Sequence, residues 1–171
     1  SIVDIPFRSL DSADRTAHEA ATSSITTTKR VEGSGAAEFE IAVERSTLCW
    51  YIYCESAVAS TGVNIANASH IIFDFYVNDL SLIEINKTSD MQLSVRNVST
   101  KGGWDSSCTH VTNDNMHSVF DNLKQGWNHI VLPIQTPLTN DAFAIRMILN
   151  NTVAKQGFVS IIDDIRFVNQ N

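Results

Sequence analysis

The segment IIFDFYV (residues 71–77) alternates apolar and polar side chains with a period of two. Its phenylalanines and Val77 fall on one side of an extended backbone, and Asp74 and Tyr76 fall on the other. Successive side chains of a β-strand point to opposite faces, so the pattern predicts a strand with one buried and one solvated face. Such half-buried strands are typical of antiparallel sheets, because parallel sheets are usually covered on both sides.

The same alternation recurs in AEFEIAV (37–43), MQLSVRNV (91–98) and AFAIRMIL (142–149). Clusters of Gly, Ser, Asn and Asp separate these segments and predict turns. Only 13–21 and 116–124 have a helix-like pattern, and each would form one or two turns. Many short strands separated by turns predict an all-β fold, a two-sheet antiparallel β-sandwich of the jelly-roll kind.

Length and composition limit the class of protein. The 171 residues are enough for one domain, and we predict a single domain over 1–171. The formal net charge of −7 argues against nucleic acid or an anionic membrane as a partner. No apolar stretch approaches the ~20 residues that a membrane-spanning helix requires. The first residue, Ser1, leads us to expect that a leader or a neighbouring domain has been removed.

The segment GWNHIVLPI (126–134) places a tryptophan at the start of a strand, directly after a glycine. Trp127, His129 and Val131 share one face of that strand, and neither face is uniformly apolar. This pattern predicts a central strand that is covered on both sides or twisted at its entry, with Trp127 in the core. The alternative for Trp127 is that it stacks on a ligand. Pro133 is expected to end the ladder pairing, since proline donates no backbone hydrogen bond. Any ligand contact is then expected from aromatic residues elsewhere.

The cysteines do not form an evident disulfide framework. Cys49 and Cys54 would lie ~17 Å apart if they belong to one strand. A disulfide requires Cα atoms within roughly 7 Å, so this pair forms only across a bend. Pairing of either cysteine with Cys108 stays open. Four sequons would accept glycans in a eukaryotic secretory route. They lie at Asn67, Asn86, Asn97 and Asn150.

Several segments resemble one family. LKQGWNHIVLPI, followed by AFAIRMILN and VSIIDDIRFVN, is similar to the C-terminal half of β-sandwich carbohydrate-binding modules. LDSADRTAHEAATSSITTTKRVEGSGAAEFEI and GVNIANASHIIFDFYVND resemble the opening half of the same modules. These modules are jelly rolls with galactose-binding-like relatives, often appended to glycoside hydrolases and polysaccharide lyases. The resemblance implies a secreted, lectin-like protein that binds a polysaccharide or oligosaccharide, with a covalently linked catalytic domain as a possible partner.

The resemblance also implies a structural calcium ion at the sandwich edge. Its ligands would come from three distant segments and supply hard oxygen atoms, which Ca²⁺ prefers. The candidate ligands are Asp163, Asp164, Glu32, Gly33 and Asp14. Such an ion would hold the two ends of the chain together and stabilise the folded state. The alternative is that Asp164 pairs with Arg166 or Lys155 at a solvated strand end.

Exposed aromatic rings are candidates for sugar binding, because a sugar ring presents an apolar face of C–H groups and a rim of hydroxyls. Trp104 follows a pair of glycines in a polar loop, where a tryptophan is difficult to bury. Tyr51 and Tyr53 share the face of their strand opposite Trp50, and we expect them to be the exposed pair. The alternative for Trp104 is that it packs under the edge of the sandwich.

Polar residues on the outward side of several strands suggest a binding surface. Tyr76, Gln92, Arg96 and Arg146 would form a concave polar face if their strands are neighbours in one sheet. Arginine offers a planar fork that fits vicinal hydroxyls or a uronate carboxylate. The alternative is an ordinary solvent-facing sheet.

Catalytic motifs are not evident in the sequence. The histidines lack the HExxH spacing of a zinc site, and no G-x-S-x-G motif is present. We therefore expect a non-catalytic protein that keeps an attached or partner enzyme near its polysaccharide. One alternative is a structural or protein-interaction sandwich in a larger extracellular protein. Another is a small polysaccharide lyase that uses His110, Tyr76 and Arg96.

Overall fold

The computed structural model describes twelve parts of the chain. They are residues 2–4, 15–18, 21–31, 35–41, 48–53, 66–83, 91–97, 109–112, 119, 121–138, 143–149 and 155–169. Within them, the secondary structure is dominated by β-strands, and no helix is long and apolar enough to cross a membrane.

The described strands lie between short connections. They are β1 (Ile2–Asp4), β2 (Arg15–His18), β3 (Ala21–Thr26), β4 (Ala36–Ile41), β5 (Leu48–Tyr53), β6 (Ala68–Val77), β7 (Met91–Asn97), β8 (Thr109–His110), β9 (Gly126–Pro133), β10 (Phe143–Leu149) and β11 (Val159–Asn169). A short 3-10 helix (Leu80–Leu82) follows β6, and the Asp79 carboxylate caps it by accepting a hydrogen bond from the Ser81 N–H.

The strands form two antiparallel sheets. The six-stranded sheet has the order β3-β4-β11-β6-β9, and β1 pairs with β11. The five-stranded sheet has the order β2-β5-β10-β7-β8. The predicted all-β, two-sheet antiparallel sandwich is confirmed. All four segments that alternate in the sequence are strands, with bounds that differ from the predicted ones by a few residues.

The core follows from the alternation. On β6, the side chains of Phe73, Phe75 and Val77 are fully buried, while Asp74 and Tyr76 lie on the outer side of the six-stranded sheet. Among the residues whose burial the structure describes, the five largest fully buried side chains are phenylalanines: Phe39, Phe73, Phe75, Phe158 and Phe167. Burial of such rings contributes roughly 2–3 kcal/mol each to the free energy of folding and is the main stabilisation of the sandwich.

The prediction that Trp127 belongs to the core is wrong. Its side chain is 36% exposed, and Val131 on the same face is 48% exposed. β9 is the last strand in the described order of the six-stranded sheet, so it is not a central strand. Asn128, Ile130 and Leu132 occupy the buried face instead. The predicted end of the ladder at Pro133 is confirmed.

A polar residue on the buried face of β9 explains the error. The Asn128 Nδ2 atom lies 3.2 Å from the Phe75 oxygen, 2.9 Å from the Lys124 oxygen and 3.1 Å from the Gly126 oxygen. Its Oδ1 atom accepts the Lys124 N–H at 2.8 Å. A buried amide costs little when its hydrogen bonds are made, so Asn128 can point inward and the indole outward.

The two helix predictions have different outcomes. Residues 15–18 and 21–26 form β2 and β3, so the helix expected over 13–21 is wrong within the described residues. This segment is rich in Thr, Ser and Ala, and pairing with β4 and β5 determines its conformation more than its weak intrinsic preference does. In 116–124, Val119 and Asp121 lie in a helical turn, as expected.

Candidate functional site

The five-stranded sheet brings together five of the residues predicted to bind ligand. Its register places Arg146 between Tyr51 on β5 and Ser94 on β7. Since Ile145 and Val95 are fully buried, the alternate positions Arg146 and Ser94 belong to the outer side of this sheet. We call that side the five-stranded face. Its predicted positions are Tyr51, Tyr53, Gln92, Arg96 and Arg146.

The cross-strand rows of the five-stranded face are continuous. One row runs from Tyr53 through Ala144 to Arg96 and His110. Two residues along the strands, the next row runs from Tyr51 through Arg146 to Ser94. Directly opposite residues in antiparallel strands have Cβ atoms about 5 Å apart. The face therefore arranges aromatic and guanidinium-bearing positions side by side in two adjacent rows.

Arg96 differs from the sequence expectation in its exposure. It lies on the outer side of the sheet, as predicted, but its side chain is only 8% exposed. Near it, the Asn97 amide donates to the Pro137 oxygen at 3.1 Å, and the Thr112 hydroxyl accepts the Val95 N–H at 2.9 Å. Arg96 is therefore a buried charge at the β8 end of the five-stranded face.

Tyr76 does not belong to this face. It lies on β6 in the six-stranded sheet, so the predicted grouping of Tyr76 with Gln92, Arg96 and Arg146 is wrong. The period of two predicts the side of a strand on which a residue lies, but it does not say which sheet contains the strand. The lyase arrangement fails for the same reason, since His110 and Arg96 are paired on β8 and β7 while Tyr76 lies across the sandwich.

Tyr76 instead contacts two residues that the sequence reading did not assign to a site. Its ring centroid lies 5.4 Å from that of Trp127, with the two planes tilted by 60°. The Lys29 Nζ atom lies 4.4 Å from the centroid of the Tyr76 ring and donates to the Tyr76 hydroxyl at 2.6 Å. Trp127 lies on the same face of β9 as the polar residue His129. This shared face was the one signal in the sequence that the indole is exposed.

Charged side chains continue this surface along β6, β9 and β11. The His129 Nδ1 atom lies 3.3 Å from the Asp74 Oδ1 atom. The Arg166 Nη2 atom lies 3.4 Å from the Asp164 Oδ2 atom and 4.0 Å from the Asp74 Oδ2 atom. The guanidinium therefore joins two neighbouring carboxylates. The pairing of Asp164 with Arg166, which the sequence left open as an alternative, is present.

Asp164 occupies an irregular point of β11. The register against β6 shifts between Asp163 and Arg166, and Asp164 has a φ of 54°. Burial raises the pKa of the Asp164 carboxyl above its ordinary range. The hydrogen bond that protonated Asp164 donates to Asp74, and the negative charges of Asp74 and Asp163, act in the same direction. The Arg166 charge lowers this pKa and opposes them.

Asp163 is fully buried, and its Oδ2 atom accepts the Val31 N–H at 2.5 Å. The segment after β3 therefore reaches the carboxylate that the calcium prediction names. Glu32, Gly33 and Asp14 lie outside the described residues, as does Trp104. Among the residues whose placement is described, no group of three or more His, Cys, Asp or Glu side chains could hold a metal ion.

The structure also bears on the sequons and cysteines. Asn67 is exposed in the turn before β6. Asn97 is only 1% exposed and its Nδ2 atom is hydrogen-bonded, so this sequon is inaccessible in the folded chain. The other two sequons lie outside the described residues, as do Cys54 and Cys108, so the disulfide stays a prediction.

Comparisons with solved structures agree with this architecture. A family 30 carbohydrate-binding module is similar with a TM-score of 0.58 and 12% identity, over 99% of each chain. A structure described by the promiscuous specificity of carbohydrate-binding modules from the β-sandwich superfamily has a TM-score of 0.56 and 13% identity. That match covers 98% of this chain and 62% of the other, so the chain spans less than two thirds of that relative.

The fold also occurs within a larger enzyme. The enzymatically active domain of tailspike protein 4 from bacteriophage CBA120 matches with a TM-score of 0.52 and 8% identity, over 97% of this chain and 22% of that one. No protein-family model and no curated protein matches the chain. These similarities establish the fold of β-sandwich carbohydrate-binding modules.

Proposed function

We propose that this protein is a non-catalytic module that binds a polysaccharide on its five-stranded face. The observation that carries the proposal is the row of Tyr51, Arg146 and Ser94 across three adjacent strands, beside the row that contains Tyr53 and Ala144. Aromatic rings stack on the C–H faces of sugars, and guanidinium and hydroxyl groups bind the hydroxyl rim. The fold shared with solved carbohydrate-binding modules supports it.

The function of such a face is to raise local concentration. A module that holds a polysaccharide keeps an attached or partner enzyme close to its substrate, which increases the effective concentration without any chemistry of its own. We propose that the protein acts outside the cell, because structural polysaccharides such as xylan and β-glucan are extracellular. A structural or protein-interaction sandwich would share the fold but would bind no glycan.

Affinity electrophoresis tests the proposal with gels that contain β-glucan, xylan, mannan or polygalacturonate. We expect retardation on at least one of them, and weaker retardation in Arg146→Ala and Tyr51→Ala. Val131→Ala is the matched control, since Val131 is exposed on the opposite sheet. Retardation on none of the four gels, or retardation that neither substitution weakens, would contradict the proposed face. Unsaturated products that absorb in the ultraviolet would indicate a lyase.

We also propose a structural calcium ion at the edge formed by β11 and the segment after β3. The carboxylates of Asp163 and Asp164 are hard oxygen donors. Val31, which directly precedes Glu32 and Gly33 in the sequence, donates its N–H to the Asp163 carboxylate. Glu32, Gly33 and Asp14 would complete the set. When bound, the ion would supply positive charge to neighbouring carboxylates and stabilise the folded state.

Removal of divalent cations tests this ion. We expect a chelator to lower the melting temperature and excess Ca²⁺ to restore it, with a smaller response in Asp163→Asn. Mg²⁺ is the control, because it demands a smaller octahedral site. A melting temperature that is unchanged by the chelator and by added Ca²⁺ would rule the ion out.

A further inference from the structure

The outer side of the six-stranded sheet presents a second aromatic surface. Its members are Tyr76 and Asp74 on β6, Trp127 and His129 on β9, and Lys29, which follows β3. We call this surface the six-stranded face. We infer that it is a second glycan site, at which a sugar ring stacks on Trp127, so that one molecule can bridge two polysaccharide chains. The inference rests on the proposed function, since it assumes that the protein binds glycans.

The geometry selects Trp127 as the stacking residue. One side of the Tyr76 ring is occupied by the Lys29 ammonium, and the ring is tilted by 60° against the indole. Tyr76 therefore supports the indole from one side and holds it in place. With 36% exposure, Trp127 offers a supported and accessible ring.

Polar groups around the indole could bind sugar hydroxyls. The Lys29 ammonium has three donors and uses one on the Tyr76 hydroxyl. The His129 side chain is 57% exposed and directs one ring nitrogen to Asp74, which leaves the other for a ligand. An apolar ring rimmed by such groups matches a sugar, which has C–H faces and an edge of hydroxyls.

Charge and patch size disfavour other occupants of this face. Glu38 is paired in register with Ile161, and Ile161 with Tyr76, so an acidic position lies in the same row as Tyr76 and Trp127. With a net charge of −7 for the chain, this disfavours an anionic polymer or membrane. Large exposed apolar side chains in the described residues are Val31, Trp127 and Val131, which are few for a protein interface. A neutral glycan fits these conditions.

The two faces lie on opposite sides of the sandwich, so they could act together. Each face would bind a separate polysaccharide chain, or a separate segment of one polysaccharide chain that folds back around the protein. Two weak sites on one molecule raise the overall avidity for an insoluble polysaccharide without any new contact. Single substitutions on either face are then expected to remove one site and leave the other.

Isothermal titration calorimetry tests the second site with xylohexaose, cellohexaose and mannohexaose in separate titrations. We expect a stoichiometry of two for at least one of these oligosaccharides. The expected value falls to one in Trp127→Ala and to one in Arg146→Ala. Trp127→Phe should retain two sites with a weaker second site, and Val131→Ala should match the wild type. Urea unfolding of each variant checks that the sandwich remains folded.

The outcomes separate the two proposals. A stoichiometry of one that is abolished by Arg146→Ala and unchanged by Trp127→Ala would overturn the second site and leave the proposed function intact. A stoichiometry of one that is abolished only by Trp127→Ala would support the second site and contradict the five-stranded face. Heat release with none of the three hexasaccharides would overturn the second site, which is inferred for a neutral glycan, whereas the proposed function is contradicted only when none of the four gels retards the protein.

Discussion

At the scale of single residues, Asp164 has both an unusual backbone conformation and a carboxyl group with a raised pKa. Its φ of 54° lies in the left-handed region, which Asp and Asn enter more readily than most residues. The conformation places its carboxyl next to Asp74 and within reach of Arg166. The resemblance to carbohydrate-binding modules named Asp163 and Asp164 as calcium ligands, but the sequence did not reveal that β11 is irregular there. Alternation with a period of two carries no sign of irregular strand pairing.

We predict that Asp164→Asn raises the free energy of unfolding at pH 7 in metal-free buffer. The raised pKa of Asp164 means that its folded state binds the proton more tightly than the unfolded state does. Stability from this group is therefore greatest at acid pH and declines as pH rises through the raised pKa. Asparagine carries no ionisable group, so the variant should not lose stability as pH rises, and asparagine tolerates the positive φ. Urea unfolding between pH 4 and pH 8 measures it.

Asp79 is a control, because its pKa is shifted in the opposite direction to that of Asp164. Hydrogen bonds from the hydroxyl and the backbone N–H of Ser81 hold the pKa of Asp79 below its ordinary range. Its contribution to stability is present at neutral pH and is lost as pH falls through the lowered value. Asp79→Ala should therefore destabilise the protein at pH 7 and lose that effect in acid. A lower stability of Asp164→Asn at pH 7 in the presence of chelator would contradict the account of Asp164.

At the scale of elements, β9 shows why the fold was easier to predict than the site. Its apolar residues, its initial glycine and its terminal proline predicted a strand with correct ends. The sequence did not show which face of β9 is buried, because each face carries apolar residues: Trp127 and Val131 on one, Ile130 and Leu132 on the other. The ambiguity is resolved by Asn128, whose hydrogen bonds to β6 and to the turn at Lys124 exist only in the assembled structure.

We predict that Asn128→Ala destabilises the protein by about 1–3 kcal/mol, the usual cost of leaving buried polar groups without partners. The substitution removes the acceptor for the Lys124 N–H and the donor to the Phe75 oxygen. The turn before β9 and the pairing of β9 with β6 weaken together. Urea unfolding measures the change in the midpoint.

Val131→Ala is the matched control on the same strand. Val131 is 48% exposed, so its truncation should change stability by no more than about 0.5 kcal/mol. Equal stability losses in the two variants would show that Asn128 does not anchor the strand.

At the scale of the whole molecule, periodicity predicted the two-layer architecture, and the resemblance to carbohydrate-binding modules agreed with it. The composition of the five-stranded face was predicted in part, since Tyr51, Tyr53, Gln92, Arg96 and Arg146 share one side of one sheet. The assignment of Tyr76 to that face failed because sheet membership depends on long-range pairing. The Lys29 contact was not predicted either, since it joins residues 47 positions apart.

The most direct test of the central claim is an amide chemical-shift titration with the neutral oligosaccharide that is bound most tightly. We predict that the amides of Tyr51, Ser94 and Arg146 shift in proportion to occupancy in the Trp127→Ala variant, which isolates the five-stranded face. Absence of shifts on β5, β7 and β10 at saturating oligosaccharide would contradict the claim.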